Sequence, residues 1–445
     1  MRLAWVTPLG FDSGVSRFSL SAVRALASLD GVEVEVWHDP TVHDLACPFA
    51  PTHALPGAPP DALDAYDAVV YNLGNHPGGH GAIYERYRRT RGIVVLHDKV
   101  MHDFFFSYAC EMRKDPRIYV GLMGYVYGGD AAALAADIVL NGQIPELWSQ
   151  AARYPLFEPC LFNALGVVTH SAETRALVDS RYHGLLPSLE LQLPHFIYDL
   201  AYSGQGLLSR EKLGLPADKV VLAAAGRLGA QKRVDVTMRV IAADPALRDG
   251  TLLVVGGGGD EDYPAYMRQL ANELGVEDGV RFVIEPDDRT MHSILSAADI
   301  AINLRYPSTE SGSASLVEQL YFHNPVVVTR IGVYDELPDD VVIKIDPENE
   351  FEELTGALSR LVLDPGFRAR TVSAVEGYSA SHFSADTYAR RLLAFVGEPR
   401  VTHGLLGRVD AASANLAGTD VSSLSAAASA SAEAILSATQ DTRGR

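Results

Sequence analysis

The sequence predicts a parallel α/β protein built on two doubly wound sheets. Short apolar runs alternate with helical stretches along most of the chain, as expected for strands buried on both faces and joined by crossover helices. The alternation runs once through residues 1–195 and starts afresh over 196–383. With 445 residues, 47% of them hydrophobic, the chain can bury two such cores.

In the first half RLAWVT, VEVEVW, AVVYNL, GIVVLHD and GVVTHS read as buried strands. Residues 13–30 read as a helix that begins at Ser13 or Ser16, whose hydroxyls suit the free amides of a first turn. Arg86, Arg88, Arg89 and Arg91 read as a solvated helix end. Residues 104–160 form a mostly helical insert carrying Phe104, Phe105, Phe106, Tyr108, Tyr119, Tyr125 and Tyr127. These rings either pack among the helices or face an aromatic or lipid-linked partner. The boundary falls near LPHFIYDL, residues 193–200.

The second half restarts with KVVLAAAG, TLLVVGGGG, VRFVIE, IAINLR, PVVVTR and VVIKI, with helical stretches such as 261–274 and 351–363 between them. From about residue 400 the composition turns to Ala and Ser, which predicts a disordered or marginally helical tail. A partner-binding helix over 424–438 is the other reading. No repeat of 20–50 residues is present in the sequence.

A formal net charge of −19 excludes the basic surface that nucleic-acid binding requires. Three cysteines, Cys47, Cys110 and Cys160, are widely spaced and suit free thiols in a reducing compartment. The sequence shows no secretory leader and no apolar run of about 18–20 residues. A cytoplasmic protein is expected, with peripheral attachment to the inner face of the membrane left open.

The chemistry concentrates in TESGSASLVEQL. Ser311-Gly312-Ser313-Ala314-Ser315 reads as a loop entering a helix, because small residues and hydroxyls can cap the free amides of a first turn. Such a helix start, with its amides and positive dipole end, suits a pyrophosphate. Glu310 precedes that helix and Glu318 lies along it. Eight helical positions span roughly 12 Å, more than the about 5–9.5 Å of a glycosidase carboxyl pair. The two acids therefore suit gripping a long ligand better than hydrolysis; their bland reading is a capping Glu and a solvated one. Arg227 and Lys232 follow the strand VVLAAAG at its carboxyl end, where cations would stabilise a departing phosphate group; alone, they could be ordinary loop bases. Gly256–Gly259 lacks the third glycine of a dinucleotide fingerprint, Glu261 standing in its place. Asp260-Glu261-Asp262 reads as a solvated helix start. His97, Asp98, His102 and Asp103 lack zinc-protease spacing, and no metal is expected.

With Gly226-Arg227, Lys232 five residues on, Glu310 and Glu318 in place, the chain resembles the retaining GT-B glycosyltransferases of family 4, the nucleotide-sugar-dependent group 1 glycosyl transferases. YNLGNHPGGHGAIYERYRRTRGIVVLHD, VVTHSAET at 167–174 and the block over 297–345 carry the likeness further. It covers about residues 1–397 and is most specific in the second half.

The resemblance implies two Rossmann-like domains facing a central cleft. Residues 1–195 would bind the acceptor and 196–383 the nucleotide-sugar donor, with a helix over 384–397 crossing back to the first domain. It implies retaining transfer of a hexose from a nucleotide-diphosphate sugar to a hydroxyl of a polysaccharide, glycolipid or metabolite. The acceptor is unidentified, and a lipid-linked one is among the options. A nucleotide-sugar epimerase of the same fold and a non-catalytic sugar-nucleotide-binding subunit are the alternatives.

In that scheme Arg227 and Lys232 stabilise the leaving diphosphate, and the amides of Gly312, Ser313 and Ala314 complete its cradle. Glu310 bonds hydroxyls of the donor sugar, Glu318 takes the ribose hydroxyls, and His97 lies near the 6-position of that sugar. Gly14, in the loop from Gly10, lets the backbone approach the donor phosphates. No cofactor is implied beyond the sugar nucleotide as co-substrate. His323-Asn324 departs from the small residue and Gly that the family often has. The base, the hexose and the oligomeric state are not legible.

Overall fold

The computed structural model describes residues 1–10, 13–42, 46–141, 153–195, 206–259, 262–398 and 401. Two compact units result. The first comprises Met1–Leu191, Thr309–Gly312 and the segment from Asp386; the second comprises Gln192–Ser308 and Ser313–Ala385. The segment 196–205 at the expected boundary and almost all of the Ala/Ser-rich stretch lie outside the described residues.

In the first unit seven strands pair in parallel: β1 (Arg2–Val6), β2 (Glu33–His38), β3 (Thr52–Ala54), β4 (Ala68–Leu73), β5 (Gly92–Leu96), β6 (Ala164–Thr169) and β7 (Ser188–Glu190). Their order is β3-β2-β1-β4-β5-β6-β7, so the winding reverses between β1 and β4. Apolar residues bury most of each central strand, and β5 along its whole length. The edge strands β3 and β7 have three residues each and no apolar run, which hides them from a pattern reading.

Helix α1 (Gly14–Ala27) starts where the Ser13 hydroxyl accepts from Ser16 N at 3.4 Å. Then come α2 (Pro77–Tyr87), α3 (His102–Ser107), a π-helical turn over Tyr108–Met112, α4 (Arg117–Tyr127), α5 (Gly129–Asn141) and α6 (Ala172–Tyr182). The insert uses most of its aromatics for packing. Phe104, Phe105 and Tyr108 meet the Tyr84 ring edge-on at 5.3–5.4 Å, and Tyr119 is fully buried. Tyr125 is exposed, with Phe162 edge-on at 5.8 Å. The arginine cluster is not a solvated end as a whole. Arg86 is buried and donates to the carbonyls of Ala58, Pro59 and Pro60, and Arg88 donates to Tyr108 Oη. Only Arg89 and Arg91 are exposed.

In the second unit β8 (Val220–Ala225), β9 (Thr251–Gly257), β10 (Val280–Ile284), β11 (Ile300–Asn303), β12 (Val326–Thr329) and β13 (Val342–Ile345) form a parallel sheet in the order β10-β9-β8-β11-β12-β13. Its helices are α7 (Val234–Ala243), α8 (Pro245–Gly250), α9 (Asp262–Leu274), α10 (Asp288–Ala297), α11 (Ala314–Tyr321), α12 (Glu350–Leu363) and α13 (Pro365–His382). His323 ends α11 in the left-handed region at φ +59°, where Gly would sit without strain. Asn324 secures the turn: its N–H reaches Gln319 O, and its side chain donates to Leu295 O and Ala298 O.

A last helix, α14 (Ala385–Val396), enters the first unit at Asp386. It buries Tyr388, Leu392 and Phe395, with Tyr388 edge-on to Phe18 at 5.3 Å. Gly166 makes room for it, since a Cβ there would stand 2.9 Å from Phe395 Cζ. All three cysteines are free thiols. Among the described residues no helix is long and apolar enough to cross a membrane.

Candidate functional site

In the second unit the carboxyl ends of β8 and β11 converge on the start of α11. Lys232 closes a 3-10 turn over Ala230–Lys232 and is buried; its Nζ donates to Ala225 O at 2.8 Å and to Ser315 Oγ at 3.5 Å. The same hydroxyl is reached by Arg305 Nη2 at 3.5 Å and by Asn303 Nδ2 at 3.2 Å. Two buried cations and an amide thus aim at one oxygen, an arrangement that favours an anion. Gly226 permits it: its φ is +109°, and a Cβ would lie 2.7 Å from Lys232 Nζ. Arg227 is exposed.

Helix α11 begins at Ala314, and Val317 N gives the bond to Ser313 O, so the amides of the first turn stand ahead of the ladder. The serine tract does not cap them as its composition predicts. Ser313 makes no side-chain cap bond, because its hydroxyl is engaged by Tyr334 Oη at 3.0 Å and Ser315 Oγ at 3.4 Å. Residues 310–313 precede the helix, so the roughly 12 Å span expected for a continuous helix does not describe this stretch. Glu318 is buried on α11, its carboxylate 3.7 Å from His292 Nε2.

The glycine run extends the pairing of β8 with β9 and forms no dinucleotide turn. Gly226 N bonds Gly256 O and Leu228 N bonds Gly258 O. Asp260 and Glu261 lie outside the described residues; Asp262 opens α9.

In the first unit Glu310 is half-buried and bridges antiparallel to Asp98 just beyond β5. Lys99 N donates to Thr309 O and Ser311 N to His97 O. Asp98 Oδ2 accepts from Asn75 N at 2.8 Å. Its carboxyl is pushed up to about 7, chiefly by burial, with Glu310 and Asp103 adding repulsion against the Asn75 bond.

His97 is buried. Its ring touches Asn72 Oδ1 at 3.1 Å and His170 Nε2 at 3.2 Å, and Phe18 lies edge-on at 4.9 Å. Burial, then His170 and His80, hold its pKa well below the ordinary histidine value. His102 turns instead to Tyr119 Oη, and Asp103 to Asn75 Nδ2. Among the described residues no three His, Cys, Asp or Glu side chains gather as a metal site. Gly14 is the exposed first residue of α1, and the neighbouring residues 11 and 12 lie outside the described chain.

Spacing in the sequence points to Lys232 but not to Arg305, Asn303 or His170. Arg305 and Asn303 are single polar residues closing an apolar strand, and His170 lies within VVTHSAET, where only the text as a whole stood out.

Two parallel Rossmann-like sheets, one in each unit, are the GT-B fold shared with solved glycosyltransferase structures. Residues 208–376 match the model for glycosyl transferases group 1. The D-inositol 3-phosphate glycosyltransferase of Saccharomonospora viridis is 35% identical over 175 residues, 37% of this chain and 40% of the relative. That of Salinispora arenicola is 33% identical over 209 residues, 44% of this chain and 45% of the relative. The chain thus spans less than half the length of these curated relatives. Among solved structures, sucrose-phosphate synthase from Thermosynechococcus elongatus shares the fold with a TM-score of 0.60 at 15% identity, covering 88% of this chain and 98% of that one. The Anabaena protein HepE in complex with UDP-glucose gives 0.58 at 15% identity, covering 88% and 98%.

Proposed function

We propose that this chain is a retaining glycosyltransferase that moves a hexose from a nucleotide-diphosphate sugar to an acceptor hydroxyl. One observation carries the reading: Lys232 and Arg305, both buried, converge with Asn303 on Ser315 Oγ at the start of α11. A cleaving sugar diphosphate gains negative charge on its phosphate side, and cations placed there stabilise that charge.

In this reading Lys232, Arg305 and the amides of Gly312, Ser313 and Ala314 hold the diphosphate. Arg227 joins them from its exposed position when ligand is bound. Glu318, steadied by His292, takes the ribose hydroxyls; Glu310 takes hydroxyls of the transferred sugar, and the His97 ring lies beside it. Gly14 keeps the backbone open to phosphate. The bond from the anomeric carbon to the phosphate oxygen breaks, and the acceptor oxygen bonds that carbon on the same face. The acceptor proton passes to the departing phosphate oxygen. The protein contributes position and charge, and no metal is invoked. The relatives are named for D-inositol 3-phosphate, which makes it the first acceptor to try.

Thermal shift against UDP-, GDP- and ADP-sugars tests the reading. A ligand at a hundred times its Kd stabilises the folded form by about 2.7 kcal/mol. The expected result is a shift with one base that shrinks in Lys232→Ala, a variant whose turnover falls about a hundredfold. No shift with any member of the panel, or an undiminished one in Lys232→Ala, sinks it.

A further inference from the structure

Three hydrogen bonds run in series across the carboxyl edge of the first sheet. Asn72 Oδ1 lies 3.1 Å from His97 Nε2, His97 Nδ1 lies 3.2 Å from His170 Nε2, and His170 Nδ1 lies 2.9 Å from Leu191 O. Both ends accept. Leu191 offers a carbonyl, and Asn72 must turn its oxygen to His97 because its amide nitrogen donates to Val6 O at 3.1 Å. Turning that amide would set oxygen against oxygen, and turning either ring would put carbon where nitrogen makes a bond.

Each contact needs one hydrogen, three in all, and two neutral imidazoles bring two. One buried contact therefore lacks its hydrogen unless the pair holds one added proton. A second added proton would set N–H against N–H at the middle contact.

We propose that His170 is a positioning residue for His97, and that the two rings take up one shared proton when a phosphate-bearing ligand binds at this edge of the first sheet. All three N–H groups are then spent inside the chain of bonds, so the pair meets the ligand as a buried positive charge. In the empty protein burial opposes that charge, holding His170 down to about 4 and His97 well below its usual range.

The surroundings supply little compensation. Phe18 lies edge-on to both rings, at 4.9 and 5.6 Å, and Tyr388 stands 6.4 Å from His170. His80, itself held down to about 4 by burial, opposes charge on His97, and Ser311 Oγ accepts from His170 N. The acids of this region, Asp98 beside His97 and Glu310 bridged to it, repel one another. An arriving phosphate provides the missing attraction. That a phosphate ligand binds at all rests on the function proposed above.

Calorimetry at pH 8 and pH 7, above the second phosphate pKa of about 6, in buffers of different ionisation enthalpy tests the idea. The probes are UDP, GDP and ADP in one arm and inositol phosphate in the other, which separates donor from acceptor as the source of the phosphate. The expected result is net proton uptake on binding that grows as the pH is lowered from 8 to 7. In His170→Gln the amide supplies the hydrogen of the middle contact to His97 Nδ1 without charge, so binding persists and uptake falls to near zero. Binding without uptake in the parent, or equal uptake in His170→Gln, overturns the proposal. If no probe binds, the function proposed above fails on its own, and ring-nitrogen NMR of the empty protein judges the pair. On acidification both rings should report one common proton step; two independent steps, or titration of one ring alone, overturn it.

Discussion

Asp98 is an acid whose ionisation the fold resists. Its pKa in the folded protein, about 7, lies above the ordinary aspartate value of about 3.9. The folded form therefore binds this proton more tightly than the unfolded chain, and Asp98 subtracts stability as pH rises from about 4 to about 7. Asn keeps the acceptor for Asn75 N but carries no charge. Asp98→Asn should therefore flatten the stability profile over that window and melt higher than the parent at pH 8. The gain should be about 2–4 °C for each kcal/mol recovered. Parallel melting profiles for the two proteins from pH 4 to 8 would refute the assignment. None of this was legible in the sequence, where Asp98 was one member of a string with His97, His102 and Asp103. Only the fold shows that these side chains part company, towards Asn75, His170 and Tyr119. Lys232 was legible because a cation at a fixed distance past a glycine-ended strand is a pattern; Arg305 has no such frame.

At the level of elements, the six strands of the second sheet could be read directly, since each is a short apolar run closed by glycine, a charged residue or a turn. The glycines after β9 were legible as something other than a dinucleotide turn, but their use was not. Gly257 has φ +153°, and a Cβ there would stand 1.9 Å from Gly226 O. Backbone against backbone has no soft rotamer to yield. Gly257→Ala should therefore destabilise the second unit by about 3 kcal/mol or more, seen as a lower denaturant midpoint by circular dichroism. Parental stability would show that the strand ends part at little cost. The serine tract of α11 misled for a related reason. Hydroxyls near a helix start favour a cap by local rules, yet Tyr334, twenty-one residues away, claims Ser313.

At the scale of the whole chain, Trp5 and Trp37 are buried in the first unit, so their emission reports it. Helix α14 contributes Tyr388, Leu392 and Phe395 to that unit, and Tyr388 reaches Trp5 through Phe18. A chain ending at Ser384 forfeits their burial, on the order of 5 kcal/mol at about 1.5–3 kcal/mol a side chain. Its tryptophan-detected urea midpoint should fall well below that of the full chain; an unchanged midpoint would mean the helix is dispensable. The same threading constrains recombination. Residues 192–385 look like a cassette that could be exchanged between relatives, but the tetrapeptide Thr309–Gly312 inside it is part of the first unit, bonded through Lys99, His97 and His170. A swapped cassette would deliver a foreign plug to a native socket, so productive crossovers must inherit the tetrapeptide and the end of β5 from one parent.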